Sequence, residues 1–184
     1  MKRRLGVVSF LIALLALAFV AGTGGSTPVS PDKMPEAVAN TFKTMFPNGT
    51  IDKLDVETEE GVEVYDFEFR AGDREKEADI AGDGTMMEST LVIVAKDIPP
   101  AAMKTIKKVA GKATLGRLEW LNTFYMPEAG KLVKLAKPEI HYAAELHKGG
   151  KTAEVFVTPA GKVTEQPDWN PKPEAPSTGG TTGK

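Results

Sequence analysis

Few side chains in this chain of 184 residues have the types and spacing that chemistry requires. His141 and His147 are its two histidines. On one strand, six positions at about 3.3 Å each set them about 20 Å apart, too far to share a metal ion. Each reads as an isolated imidazole. Asp79-x-Ala81-x-Asp83-Gly84 opens like a calcium loop, but Ala81 fills a ligand position and Thr90 stands where a bidentate glutamate belongs. Asp83-Gly84 is instead what a tight hairpin turn needs. The glycines between Gly22 and Gly25 are followed by no Lys-Ser/Thr, so there is no phosphate loop. Neither H-E-x-x-H nor G-x-S-x-G occurs. With no cysteine there is no thiol nucleophile, disulfide or cysteine-ligated metal. Asn48-Gly49-Thr50 is a glycosylation sequon that matters only in a eukaryotic secretory pathway. Carboxylates abound, but they alternate along strands as a solvated face does, and no glycosidase-type acid pair stands out. The expectation is no catalytic residue, no cofactor and no metal site. The remaining candidates are aromatic: Trp120, Phe124 and Tyr125 form a short cluster suited to a protein interface. The competing reading is that they fill core space between the two halves of the chain.

The elements that would position these residues begin after an export signal. Lys2, Arg3 and Arg4 precede an almost unbroken apolar run, Leu5 to Ala21, which ends in small residues at Val20-Ala21-Gly22. Residues 1–22 read as a secretory signal peptide, and the protein as secreted or periplasmic. The alternative is an uncleaved membrane anchor over residues 5–21, facing outside the cytoplasm, which would make the chain a tethered structural component of an envelope. Residues 23–31 read as a flexible leader, and residues 167–184, rich in Pro, Gly, Ser and Thr, as a disordered tail. Between them the charge is uneven: residues 32–96 carry 16 acids and 7 bases, residues 97–166 carry 7 acids and 11 bases. Such asymmetry draws the two halves together, steers different partners, or reflects only solvated strand faces that happen to differ in sign. Basic and aromatic residues interleave poorly, which excludes nucleic acid as a partner.

The body of the chain repeats itself. Shifted by 77 positions, Tyr65–Ser89 lies without a gap on Tyr142–Gln166: Tyr65 on Tyr142, Glu68 on Glu145, Gly72 on Gly149, Glu77 on Glu154, Gly84 on Gly161, Glu88 on Glu165. Shifted by 64, Met34–Asp55 lies on Ile98–Glu119, with Pro35 on Pro99, Thr41 on Thr105 and Leu54 on Leu118. The two offsets differ by 13 residues, which lengthen a hairpin whose tip is Pro127-Glu128-Ala129-Gly130. Met34, Val38, Phe42, Met45 and Phe46 make one apolar stripe of a helix over 32–46, and Ile98, Ala102, Ile106, Val109 and Ala110 make another. Tyr65, Phe67 and Phe69 alternate with Asp66, Glu68 and Arg70 as a half-buried strand does. The expected fold is α+β: a tandem repeat, over 32–96 and 97–166, of one helix followed by a four-stranded antiparallel sheet.

Pro35-Glu36-Ala37-Val38 followed by Phe46-Pro47, then a charged alternating strand and Ala81-Gly82-Asp83-Gly84, resembles the PepSY-like family. So do Pro99-Pro100-Ala101-Ala102 and Glu154–Val157 leading to Ala160-Gly161-Lys162-Val163. Two such units behind a signal peptide are similar to the beta-lactamase-inhibitor-like, PepSY-like proteins of bacterial envelopes. One departure is Thr85, where the second unit has Lys162 after its turn glycine. The resemblance implies a non-enzymatic module that binds a protein or peptide. A secreted peptidase is the partner it suggests, held by loops and a sheet face.

Overall fold

The computed structural model describes residues 27–169. Residues 1–26, with the signal segment, its cleavage or anchoring and the start of the leader, and the tail from residue 170 lie outside the described residues; the leader's Thr27–Pro28 pair with the strand Gly49–Glu59. Nine strands form one antiparallel sheet in sequential order. They are β1 (Thr27–Pro28), β2 (Gly49–Glu59), β3 (Val62–Ala71), β4 (Arg74–Ala81), β5 (Met86–Val92), β6 (Thr114–Glu128), β7 (Lys131–Lys148), β8 (Lys151–Val157) and β9 (Val163–Glu165). Helix α1 (Glu36–Met45) precedes β2, and α2 (Pro100–Ala110) precedes β6.

This corrects the expected fold class. The strands after each helix do not form a sheet of their own; β5 pairs with β6 from Glu88↔Thr123 to Val92↔Glu119, and the ladder runs on through the Ile93 N–H to the Leu118 carbonyl at 2.9 Å. A separate four-stranded sheet would have left the Leu91-Val92 margin with unpaired backbone groups, and joining the margins satisfies them. Periodicity within a strand carries no signal for this pairing, because α2 intervenes between β5 and β6 in the chain.

Both helices lie on the same face of the sheet. Phe42 of α1 stacks on Phe67 of β3 at 4.6 Å between ring centroids and meets Phe69 edge-on at 5.0 Å, beside Val38, Leu54 and Ile80. The second cluster is aliphatic: Ile98, Ala102 and Ile106 pack on Leu118, Leu146, Val155 and Val157. α2 meets the sheet with aliphatic and small residues, whereas α1 meets it with an aromatic ring. Pro35 and Pro99 cap the two helices at their N-termini, each in extended conformation, so α1 begins later than the apolar stripe alone suggested.

Each helix is also fastened to a hairpin turn. The Thr41 hydroxyl donates to the Gly84 carbonyl at 2.6 Å, and the Thr105 hydroxyl donates to the Gly161 carbonyl at 2.8 Å. Gly84 and Gly161 have φ of 87° and 80°. A Cβ on either would lie 2.8 Å or 2.6 Å from the backbone oxygen of Ala37 or Ala101. Only glycine allows both the left-handed turn and this approach.

Candidate functional site

Strand alternation sends every second side chain to the face that neither helix reaches. On β2–β4 this face carries Lys53, Asp55, Asp66, Glu68, Glu77 and Asp79; Glu88 and Thr90 follow on β5. Asp55↔Asp66, Asp66↔Asp79 and Asp79↔Glu88 are directly opposed pairs, so four carboxylates stand side by side across four strands. Glu68↔Glu77 is a further opposed pair, and Glu145↔Glu154 repeats it on β7 and β8. Like charges directly opposite are unfavourable in a sheet.

Two cations answer them in part. Lys53 bonds Asp55 at 2.7 Å and Glu68 at 3.1 Å. Burial works to lower the Lys53 pKa, but Asp55 and Glu68 outweigh it and hold the ammonium charged. Arg117 of β6 bridges Glu119 on its own strand and Glu77 on β4, crossing β5. The Arg117 pKa is likewise lowered by burial and raised further by Glu77 and Glu119, with a net rise.

Asp66, Glu77 and Glu88 are buried and Asp79 and Glu154 half-buried, and their acidity reflects it. Asp66 and Glu77 are each 7 % exposed and Glu88 is 4 % exposed. Glu77 is pushed up to about 8 by burial and then by Glu119, against the pull of Arg117. Asp66 rises to about 7 by burial and then by Glu68 and Glu57. Glu88 rises to about 7 by burial, although hydrogen bonds from Thr123 and Thr90 work the other way. Glu154 rises to about 8 through burial, then Glu119 and Glu145. Asp79 is pushed well above its ordinary value by burial and by Asp66. The alternation of carboxylates along strands suggested a solvated face; the structure buries this one.

Beyond Arg117 the same face also holds an apolar cluster. Leu121 of β6, Ala143 of β7 and Phe156 of β8 form a buried cluster that includes no helix residue. Register aligns the two regions. Asp66↔Asp79 on β3 and β4 occupies the place that Ala143↔Phe156 occupies on β7 and β8, each two positions from the opposed glutamate pair. Lys53 and Arg117 correspond in the same way, as do Asp55 and Glu119.

The three aromatics named from sequence do not meet on one surface. Trp120 packs, partly buried, against the α2 cluster on the helix side. Tyr125 packs with Leu132 against Val64, Ala81 and Met87 on the other side, with the Lys134 ammonium over its ring. Phe124 is half-buried between them, at an irregularity in the β6–β7 pairing. Past that point the extended hairpin forms an arm whose tip reaches back to the β2–β3 turn, where the Gly130 N–H donates to the Glu60 carbonyl at 2.6 Å. His141 is buried and held below its usual pKa by burial, while His147 contacts Glu145 and Thr152 at the far end of β7. Asp83 accepts the Thr85 N–H at 2.8 Å within the hairpin turn. Among the described residues no group of three or more His, Asp or Glu side chains converges to hold a metal ion, and no helix is long and apolar enough to cross a membrane.

The sheet and its paired helices define the protein's structural class. No protein-family model matches the chain, and no curated protein matches it. Solved structures do. A BLIP-like protein from Bacteroides fragilis matches with a TM-score of 0.53 at 14 % identity, over 77 % of this chain and 89 % of that one. A DUF2874 family protein from Bacteroides uniformis matches with a TM-score of 0.51 at 17 % identity, over 75 % and 94 %. A protein from Bacteroides eggerthii, provisionally assigned to the periplasm, gives 0.53 at 14 % identity, over 76 % and 92 %. At such identities the likeness is one of fold. The chain has the fold of BLIP-like and DUF2874 proteins.

Proposed function

We propose that this protein is an exported, non-enzymatic module that binds another protein or a peptide of the cell envelope through the helix-free face of its sheet. One observation carries the reading: both helices cover the same face, and the other is left to ionic and apolar side chains. The arm bearing Phe124 and Tyr125 is proposed as its rim. The apolar leader and the periplasmic assignment of a structural neighbour support export. The BLIP-like neighbour supports protein binding, and a secreted peptidase is the partner class to examine first.

Site-specific photo-cross-linking tests this in cells. A photoreactive residue at Glu68 or Glu145, on the helix-free face, should capture a discrete protein. The same residue at Lys104 or Lys108, exposed on α2, should not. Equal capture from both faces, or none from either, would sink the reading.

A further inference from the structure

Resting on that reading, we propose that the Asp66–Asp79 region of the helix-free face receives a lysine- or arginine-bearing segment of the partner protein. The argument starts from what the fold demands. The positions of Asp66 and Asp79 recur in the second half as Ala143 and Phe156, which pack with Leu121 into an apolar cluster. The architecture is therefore content with apolar residues at this pair of positions. Carboxylates there are a cost, because Asp66 and Asp79 oppose each other and are flanked by Asp55 and Glu88 in the same row.

The cost is met only in part from within the molecule. Asp66 is 7 % exposed and the Lys53 charge offsets part of the repulsion on it, but neither Asp66 nor Asp79 belongs to an ion pair found among the described residues. Buried carboxylates in proteins are otherwise hydrogen-bonded, paired or metal-bound. The described side chains do not converge as a metal site would require. An ammonium or guanidinium remains, and the protein itself shows how one is held. Arg117 lies between Glu77 and Glu119, and Lys53 between Asp55 and Glu68, each cation shared by two acids from neighbouring positions on this same face. The row from Asp55 to Glu88 crosses three strand spacings, about 14 Å. That length accommodates two or three basic side chains on an extended segment. Interfaces built on such charges gain association rate and selectivity for basic partners.

The test uses the full chain and a seven-residue peptide with lysine at alternate positions, compared with glutamine and glutamate versions. Calorimetric titration at low and high salt should show binding of the lysine peptide alone, weakened by added salt. The double variant Asp66→Asn/Asp79→Asn should lose at least tenfold in affinity while melting no lower than the parent, since it removes repulsion without changing shape. Glu36→Gln, exposed on α1 and away from this face, should leave binding unchanged. Equal binding of the lysine peptide to parent and double variant would overturn the proposal. Calcium that raises the melting temperature of the parent but not of the double variant would overturn it in favour of a metal site. Self-association of the parent that the double variant abolishes would assign the surface to a second copy of the chain. Cross-links from Glu68 that persist in the double variant leave the binding face standing and remove only its cationic occupant; loss of every cross-link from that face removes both.

Discussion

The helix-free face holds two regions built on one plan and filled with opposite chemistry. Around β3 and β4, Asp66 and Asp79 stand in a row of carboxylates; around β7 and β8, Ala143 and Phe156 join Leu121 in an apolar cluster. About four strand spacings, roughly 19 Å, separate them. On the opposite face the two halves differ only in kind, aromatic under α1 and aliphatic under α2, and both are apolar. The difference between the faces is instructive. Where the helices dock, both halves are bound by packing. Where they do not, the second half sets an apolar cluster beside Arg117, Glu119, Glu145 and Glu154, and the first half carries a continuous row of acids, although nothing in the backbone register asks for it.

The largest effect expected from this contrast is on the pH dependence of stability. Glu59, Glu77 and Glu154 titrate near 8 in the folded protein and Asp66 and Glu88 near 7, all raised first by burial. A carboxyl raised on folding favours the folded state below its unfolded value, and the benefit is lost as pH climbs through the folded one. The melting temperature should therefore fall steadily from about pH 5 to pH 9. A flat profile over that range would remove the claim that these acids are buried as a set.

Next in size is the substitution that makes the second region like the first. Phe156→Asp deletes a buried ring and inserts an unpaired carboxyl, and should cost about 3–5 kcal/mol by chemical denaturation. Arg117→Met strips Glu77 and Glu119 of their shared cation. It should cost about 3 kcal/mol at pH 9 and less at pH 6, where the acids hold protons. The converse exchange, Asp66→Ala, should stabilise the protein by about 1–2 kcal/mol at pH 9 and change little at pH 5. Destabilisation by Asp66→Ala at pH 9 would show that the first region is internally satisfied after all. The smallest effect expected is at the arm tip. Ala129 adopts φ of 49° in the turn that meets Glu60, itself at 47°. Ala129→Gly should relieve about 0.5–1 kcal/mol of strain, read as a rise in melting temperature.

Much of this architecture was legible in the chain. The apolar stripes of α1 and α2, the alternation of β3 and the Asp83-Gly84 turn all announced their elements, because each rests on local spacing. The thirteen extra residues of the second half lengthened a hairpin, as the offsets implied. Joining of β5 to β6 was not legible, since strand partners separated by a helix leave no periodic trace. The acidic row was also misread. Alternating charge looks the same whether a face is wet or buried, and only register shows that the acids oppose one another. One signal was available: the 77-residue shift places Asp66 on Ala143 and Asp79 on Phe156. A charged residue matched to an apolar one at the same register position marks where the two halves differ in chemistry.

The seam between β5 and β6 has a consequence for anyone dividing this molecule. A fragment stopping at Val94 would end in the strand Met86–Val92 with its outer hydrogen-bonding groups bare, and the complementary fragment, which begins with α2, would carry β6 as an edge in the same condition. Expressed alone, either piece should stick to itself or to its missing counterpart. Mixed together, the two should reassemble across that seam, so the molecule lends itself to a split reporter whose halves recombine by strand addition.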